Sequence, residues 1–359
     1  MLTILCCASK PLTVQELINA LAIEIGATSF LNPDRQLPDA DSLLEICPGF
    51  TEVAIEPYTR LAVIRIAHFS VQEYLESDRI LLPHGYASFS IHERCGNLLM
   101  ASMCLTLLLE SELQTFGRVE TVEKYPFAEY AAKEWVNHWR KGIGICAALY
   151  DNHSHCNLEV SHDSLALRLQ DQMLLLFRDK KGAMKNWYKL WDLDSHGAGE
   201  GDEMPPPLYY ASLIGAHFLV ERLYEDCRTQ CSLKHSARRC IDHMGGKNGS
   251  HATPLQAAAA FGYRDVVEFL LDKGADPNKV VQTPTARRTP LMTASAYGQT
   301  KIMKLLFKRS AEVNAVWSSV SPRKPFGRGR WQWVFIHKIL TALIAALRFG
   351  RKEVVKLLL

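Results

Sequence analysis

The 359-residue chain lacks any apolar run long enough to cross a bilayer; the longest, Leu98 to Leu109, falls well short of about 20 residues. It lacks a basic stretch ahead of its apolar start, and Pro11 closely follows Met1 to Ser9, so a secretory signal is not expected. It lacks a dense cysteine framework. Its ten cysteines are scattered, which reads as reduced thiols in a cytosolic protein. It also lacks the common signatures of catalysis. There is no G-x-x-x-x-G-K-[ST], H-E-x-x-H, G-x-S-x-G or paired C-x-x-C. Gly245-Gly-Lys-Asn-Gly-Ser250 has no Ser or Thr directly after its lysine, and no strand feeds it. Gly197-Ala-Gly199 with Gly201 is surrounded by Glu200, Asp202 and Glu203, which would repel a phosphate. No enzyme activity and no cofactor are expected.

What is present is an ordinary globular balance, 48% hydrophobic and 22% charged residues, which excludes a collagen or a mostly disordered chain. The length suits two or three domains. The net charge of +3 hides an asymmetry. Val316 to Leu359 holds nine Lys or Arg against one acid, Glu353, so the first 315 residues are net acidic.

Along residues 1–83 the order reads helix, helix, strand, strand, helix. Thr13-Val-Gln-Glu16 fits a capping box, and Leu17, Leu21 and Ile25 recur at helical spacing. A short helix through Leu43, Leu44 and Ile46 ends at Pro48-Gly49. Two strand-like runs follow, Glu52–Glu56 and Leu61–Ala67, with a turn at Pro57 to Arg60. Ser70-Val-Gln-Glu73 fits a second capping box. This suits a small winged-helix-like unit with a β-hairpin. DNA binding is disfavoured, because its first helix carries Glu16 and Glu24 and no Lys or Arg. His68 beside Ser70 reads as helix-start chemistry, since nothing supplies an oxyanion hole.

Residues 84–204 read as a helical linker. Phe127, Ala131, Trp135 and Trp139 recur every four residues with Tyr130 beside them, the pattern of a helix packed in a core. Ser164 to Phe177 is a further helix.

Three segments, Pro11-Leu-Thr with Glu16-Leu17, Leu44-Glu-Ile-Cys-Pro-Gly49 and Ala67-His-Phe-Ser-Val-Gln-Glu-Tyr-Leu75, resemble the segment that follows the NTPase core in fungal NACHT–ankyrin proteins of the NOD-like receptor type. Tyr125-Pro-Phe-Ala-Glu-Tyr-Ala-Ala132 with Trp135 is similar to the linker of the same family. The resemblance implies a structural arm of a signalling switch with no catalytic group of its own. It also implies a fragment, with an NTPase domain in front and further repeats behind.

Residues 205–359 carry internal repeats. Thr253-Pro-Leu-Gln-Ala-Ala-Ala-Ala-Phe-Gly262, its following Val- and Leu-rich helix and Lys273-Gly-Ala-Asp-Pro-Asn278 resemble one ankyrin repeat. Copies begin at Pro207, Thr289 and Thr341, the first degenerate and the last incomplete. Pro207, Pro254, Pro290 and Ala342 are 47, 36 and 52 residues apart, so insertions separate the copies. The family's His after Thr-Pro-Leu is Tyr209, Gln256, Met292 or Ile344 here, which puts its hydrogen bond in doubt. With nothing stacked behind them, Val354, Val355 and Leu357 to Leu359 are expected to face solvent. The basic, aromatic insertion at about 316–339 includes Pro322-Arg-Lys-Pro-Phe-Gly-Arg-Gly-Arg-Trp-Gln-Trp333. A disordered insertion is preferred there over a single-stranded nucleic-acid site.

Two constellations remain. Cys227, Cys231, His235, Cys240 and His243 offer enough ligands for zinc, but without zinc-finger spacing, and no metal is expected. Ile214, Phe261, Tyr297 and Phe349 each precede the helix-turning glycine of a repeat. They are expected to form a ladder facing the concave groove, with Arg287 and Arg288 at its rim steering acidic groups. The fold expected is therefore mainly α: winged-helix-like unit, helical linker, ankyrin solenoid. The function expected is a non-catalytic, cytoplasmic protein–protein interaction module. Nucleic-acid binding through 322–333 is the alternative.

Overall fold

The computed structural model of the chain describes residues 1–26, 35–57, 59–81, 89–143, 162–194, 204–230, 241–242, 253–282, 287–315, 317–319 and 338–359. The chain forms two compact units, Met1–Asp192 and Glu200–Leu359 together with Leu193–His196.

The first unit opens with a helix absent from the sequence reading, α1 (Leu2–Cys7). It has no side-chain cap, and burial of Ile4 and Cys7 holds it. Strand β1 (Leu12–Thr13) leads into α2 (Val14–Leu21) through the expected capping box. Glu16 N–H donates to Thr13 Oγ1 (3.2 Å), and Thr13 N–H donates to the Glu16 carboxylate (2.7 Å). The helix stops at Leu21, so Ile25 lies beyond it. Asp39 caps α3 (Ala40–Ile46) by accepting from Ser42 N–H at 2.9 Å.

Strands β2 (Thr51–Ile55) and β3 (Ala62–Ile66) pair antiparallel, with Val53 opposite Ile64. β1 joins the far side of β3, Leu12 opposite Ile64, giving the order β1-β3-β2. The second capping box is not formed. Helix α4 (Phe69–Glu76) is capped by His68, whose Nδ1 accepts from Ser70 N–H and lies 2.7 Å from the Ser70 hydroxyl. Ser70 is already the second helical residue, so it cannot act as its own helix's cap.

The helices after this form the body of the unit. They are α5 (Glu93–Leu108), α6 (Arg118–Lys124), α7 (Ala128–Ile143), α8 (His162–Arg178) and α9 (Ala183–Leu190). The aromatic stripe of α7 is core, as its spacing indicates: Phe127, Tyr130, Ala131, Trp135 and Trp139 are all buried. Trp135 meets Trp187 of α9 and Phe177 of α8 edge-on, at centroid distances of 5.4 and 6.4 Å. Trp187 Nε1–H donates to Ala132 O at 2.9 Å, so its one polar group is satisfied inside the core. Gly142 lets α7 approach α5 closely: a Cβ there would lie 2.6 Å from Leu98 Cδ2 and 3.0 Å from the Leu98 backbone nitrogen.

A buried polar chain threads the same helices. Asn97 Nδ2 donates to Glu93 O (2.7 Å), which leaves its Oδ1 to accept from His138 Nδ1–H (2.8 Å). His138 Nε2 then accepts from the Tyr130 hydroxyl (2.8 Å), and that hydroxyl oxygen accepts from Ser9 N–H (3.0 Å). The bond from the Tyr130 hydroxyl requires a neutral imidazole, since a protonated ring has no nitrogen left to accept it.

The second unit is built from helix pairs, confirming the repeat reading. The inner helices are α10 (Pro207–Ile214), α12 (Pro254–Phe261), α14 (Pro290–Tyr297) and α16 (Ala342–Arg348). The outer helices are α11 (His217–Gln230), α13 (Arg264–Asp272), α15 (Thr300–Lys308) and α17 (Lys352–Leu358). Thr253, Thr289 and Thr341 cap their inner helices through side-chain oxygens that accept from the N–H three residues on, each at 3.2 Å. Pro254 and Pro290 occupy the first helical position, where no N–H is needed. Gly262 turns the chain at φ +79°, and a Cβ there would meet the Gln299 side-chain oxygen at 2.5 Å.

Three expectations about the repeats need correcting. Gln256, in the family's His position, does make the bridging bonds: its Nε2 donates to Arg288 O (2.7 Å) and Lys279 O (3.3 Å), tying its repeat to the next one. The insertion also leaves a hairpin intact. β6 (Trp317–Ser319) pairs antiparallel with β7 (Lys338–Leu340), Trp317 opposite Leu340, while 320–337 lie outside the described residues. Finally, Val354 is buried against the preceding repeat, although Leu359 is 90% exposed.

Candidate functional site

The second and third inner helices start at a capping threonine and end at a left-handed glycine, which fixes the residue before that glycine. Phe261 ends α12, Tyr297 ends α14 and Phe349 follows α16; all three are exposed, at 45%, 39% and 46%. Phe261 and Tyr297 stand side by side, their ring centroids 6.2 Å apart at an interplanar angle of 43°. Phe261 also stacks on Tyr263 at 6.0 Å and 20°. The Arg348 guanidinium lies over the Phe349 ring, 5.8 Å from its centroid. These are large rings held in the open by rigid helix ends, the arrangement that supplies hot spots at interfaces.

Ile214 does not belong to the row. It is 1% exposed, at the end of an inner helix whose eight residues are all buried. The degenerate first repeat thus contributes packing where the later ones contribute exposed aromatic surface.

The two arginines also part company. Arg287 opposes Gln282 in the hairpin of β4 (Val281–Gln282) and β5 (Arg287–Arg288), and its side chain lies outside the described positions. Arg288 is not at an exposed rim. It is half-buried, its Nε is closed off from solvent without a hydrogen-bond partner, and Tyr297 and Arg348 are its electrostatic neighbours. Burial holds its guanidinium below the usual arginine range, the Tyr297 hydroxyl opposes that shift, and the like charge of Arg348 adds to it. Sequence reasoning placed Arg288 near the row. It missed the burial; the carbonyl of the same residue is held by Gln256.

Of the cysteine–histidine set only Cys227 lies among the described residues. Cys227 is disulfide-bonded, which departs from the expectation of reduced thiols at this one position, and so offers no thiolate to a metal. Cys231, His235, Cys240 and His243 lie outside the described residues, as does the segment 322–333. Among the described residues no cluster of His, Cys, Asp and Glu has metal-ligand geometry. Cys6, Cys7, Cys47 and Cys104 are free thiols. Burial pushes the Cys6 thiol up to about 12 and Cys7 to about 11, with the charge of Glu76 adding in the same direction, so neither is an activated nucleophile. A cavity of about 590 Å³ lies in the first unit between Thr106, Arg168, Asp171, Gln172 and Leu175. Its Gln172 is committed to Ser102 and Thr106 and joins α5 to α8.

Residues 1–92 match the family model described as the winged helix domain of GPI inositol-deacylase, and residues 208–316 match a model of three ankyrin repeats. The "Azaphilone pigments biosynthesis cluster protein L" of Monascus ruber is 29% identical over 287 residues, which is 77% of this chain and 54% of that protein. The chain thus spans about half the length of the curated relative it matches. The chain is mostly helical, with a winged helix domain and ankyrin repeats, and the repeats support a protein–protein interaction module. Among the described residues no helix is long and apolar enough to cross a membrane.

Proposed function

We propose that the chain is a non-catalytic binding arm acting in the cytoplasm, the sensor and scaffold half of a fungal NOD-like-receptor-type protein, and that its partner is a polypeptide lying along Phe261, Tyr297 and Phe349. One observation carries the reading: the same position in three successive repeats presents an exposed aromatic ring, two of them in contact. An isolated exposed ring is ordinary; an aligned row on rigid helix ends is what a docking surface needs. The order of winged helix, helical segment and ankyrin repeats supports the receptor-type reading, and the Monascus relative supports a fungal source.

The test is to pan a phage library of random 12-residue peptides against the full chain. Selected peptides are expected to lose binding to a Phe261→Ala, Tyr297→Ala double variant that keeps its melting temperature. Peptides that bind this folded variant at full strength would show that the row is not the site. Unfolding of the variant would show that the rings serve packing.

A further inference from the structure

The repeat end of the chain is much more basic than the whole. From Asn278 to Leu359 the sequence holds sixteen Lys or Arg and only two acids, Glu312 and Glu353, a net charge of +14 in a chain whose total is +3. Some of these cations are committed. Arg309 pairs with Asp272 and, more distantly, with Glu268; Arg351 Nε donates to Ala296 O; Lys356 pairs with Glu353. Arg288 and Arg348 form no ion pair with any described residue. Arg288 is the costly one. A half-buried guanidinium with a closed-off Nε and a second guanidinium as neighbour has lost hydration without gaining a counter-charge. In the sequence from 278 to 359 the only acids are Glu312 and Glu353.

We propose that the partner on the aromatic row is an acidic polypeptide segment, which seats one Asp or Glu carboxylate between Arg288 and Arg348 and rests an adjacent apolar side chain on Tyr297 and its neighbours Phe261 and Phe349. This rests on the reading of that row as the binding surface and adds the chemistry of what it takes. A planar carboxylate fits two guanidinium groups, each offering several donors, and the partly desolvated setting strengthens the pairing. Electrostatic attraction to a strongly basic segment would also speed encounter. A nucleic acid suits the charge but not the rings. Phe261 is already stacked on Tyr263, and Phe261 and Tyr297 are tilted by 43°, so this pair offers no parallel gap for a base.

The 12-residue peptides selected on the full chain test this directly. Their sequences are expected to be enriched in Asp or Glu next to an aromatic or aliphatic residue. For one such synthetic peptide, changing its acid to the amide should weaken Kd at least tenfold. Arg288→Gln with Arg348→Gln should weaken the parent peptide by a similar factor and abolish the difference between acid and amide. The exposed Arg348→Gln variant alone should reproduce part of the loss if the half-buried Arg288 position does not tolerate change. Lys301→Gln with Lys304→Gln, on exposed positions of α15, should change Kd less than threefold. Selected peptides that need Phe261 and Tyr297 but carry no acid would overturn the proposal and leave the row standing as a site. Equal losses in the arginine and lysine variants would reduce it to general electrostatics and also overturn it. Tighter binding of a 12-nucleotide oligo-dT than of any selected peptide, lost in the arginine variant, would make the surface a nucleic-acid site. Failure to select any peptide would overturn both readings.

Discussion

His138 makes the stability of the first unit depend on pH in a direction and size that follow from its surroundings. Its side chain is 1% exposed and its pKa is lowered from 6.5 to about 4, mainly by burial; the charge of Glu134 opposes that shift and Lys141 assists it. The neutral ring is the form that accepts from the Tyr130 hydroxyl and donates to Asn97. The unfolded chain therefore binds a proton more readily than the folded one. The stabilisation is complete above pH 6.5 and is lost as pH falls towards 4. Full titration of a shift of this size is worth about 3 kcal/mol, and the step from pH 7 to pH 5 about 2 kcal/mol. Urea unfolding followed by fluorescence of the buried Trp135, Trp139 and Trp187 measures this in the intact chain. His138→Gln should be less stable at pH 7, because Tyr130 and Asn97 lose a partner. It should lose about 2 kcal/mol less than the parent between pH 7 and pH 5, since its other acids titrate as before. Equal losses in the two proteins would refute the argument, because the buried imidazole would then be carrying no linkage.

Four further outcomes are expected. Gly142→Ala should destabilise by about 1–3 kcal/mol despite alanine's better helix propensity, because its Cβ meets Leu98 side chain and backbone; urea midpoints decide the sign. Gln256→Met should cost about 1–3 kcal/mol in the thermal unfolding of the repeats, since the Arg288 and Lys279 carbonyls lose their donor. Elemental analysis of the purified chain should find no stoichiometric zinc; one zinc per chain, lost in Cys231→Ser with Cys240→Ser, would reverse this. Equilibrium dialysis should detect no stoichiometric micromolar binding of ATP, because the sequence encodes no phosphate cradle.

What could be read in the sequence was whatever is decided locally. The Thr13 box, the Thr-Pro starts and the left-handed glycines depend on neighbours three or four residues away, so their signals sit within one short window. The aromatic stripe of α7 was legible for the same reason, because its period fixes one face. Features made by distant residues left no such signal. Helix α1 is six residues long and uncapped, and it persists only through burial against the unit that follows. Strand β1 has two residues and exists because β3 offers it an edge. The chain from Ser9 through Tyr130 and His138 to Asn97 joins positions up to 121 residues apart, and no spacing rule connects them.

The candidate site divides along the same line. Phe261, Tyr297 and Phe349 were found by their place in the repeat, a local rule that carries over from copy to copy. The same rule failed at Ile214, where the whole inner helix is buried and position in the repeat no longer decides exposure. Arg288 shows how a repeat departure becomes a site feature. Glutamine replaces the family's histidine at Gln256, its amide pins the Arg288 carbonyl, and the arginine side chain is then held half-buried beside Tyr297. That bond sets where the Arg288 backbone, and so the base of its side chain, stands. Gln256→Met should therefore do more than lower stability: it should free Arg288 and weaken acidic peptides more than their amide versions. If the variant stays folded and still distinguishes acid from amide as strongly as the parent, Gln256 plays no part in positioning the charge.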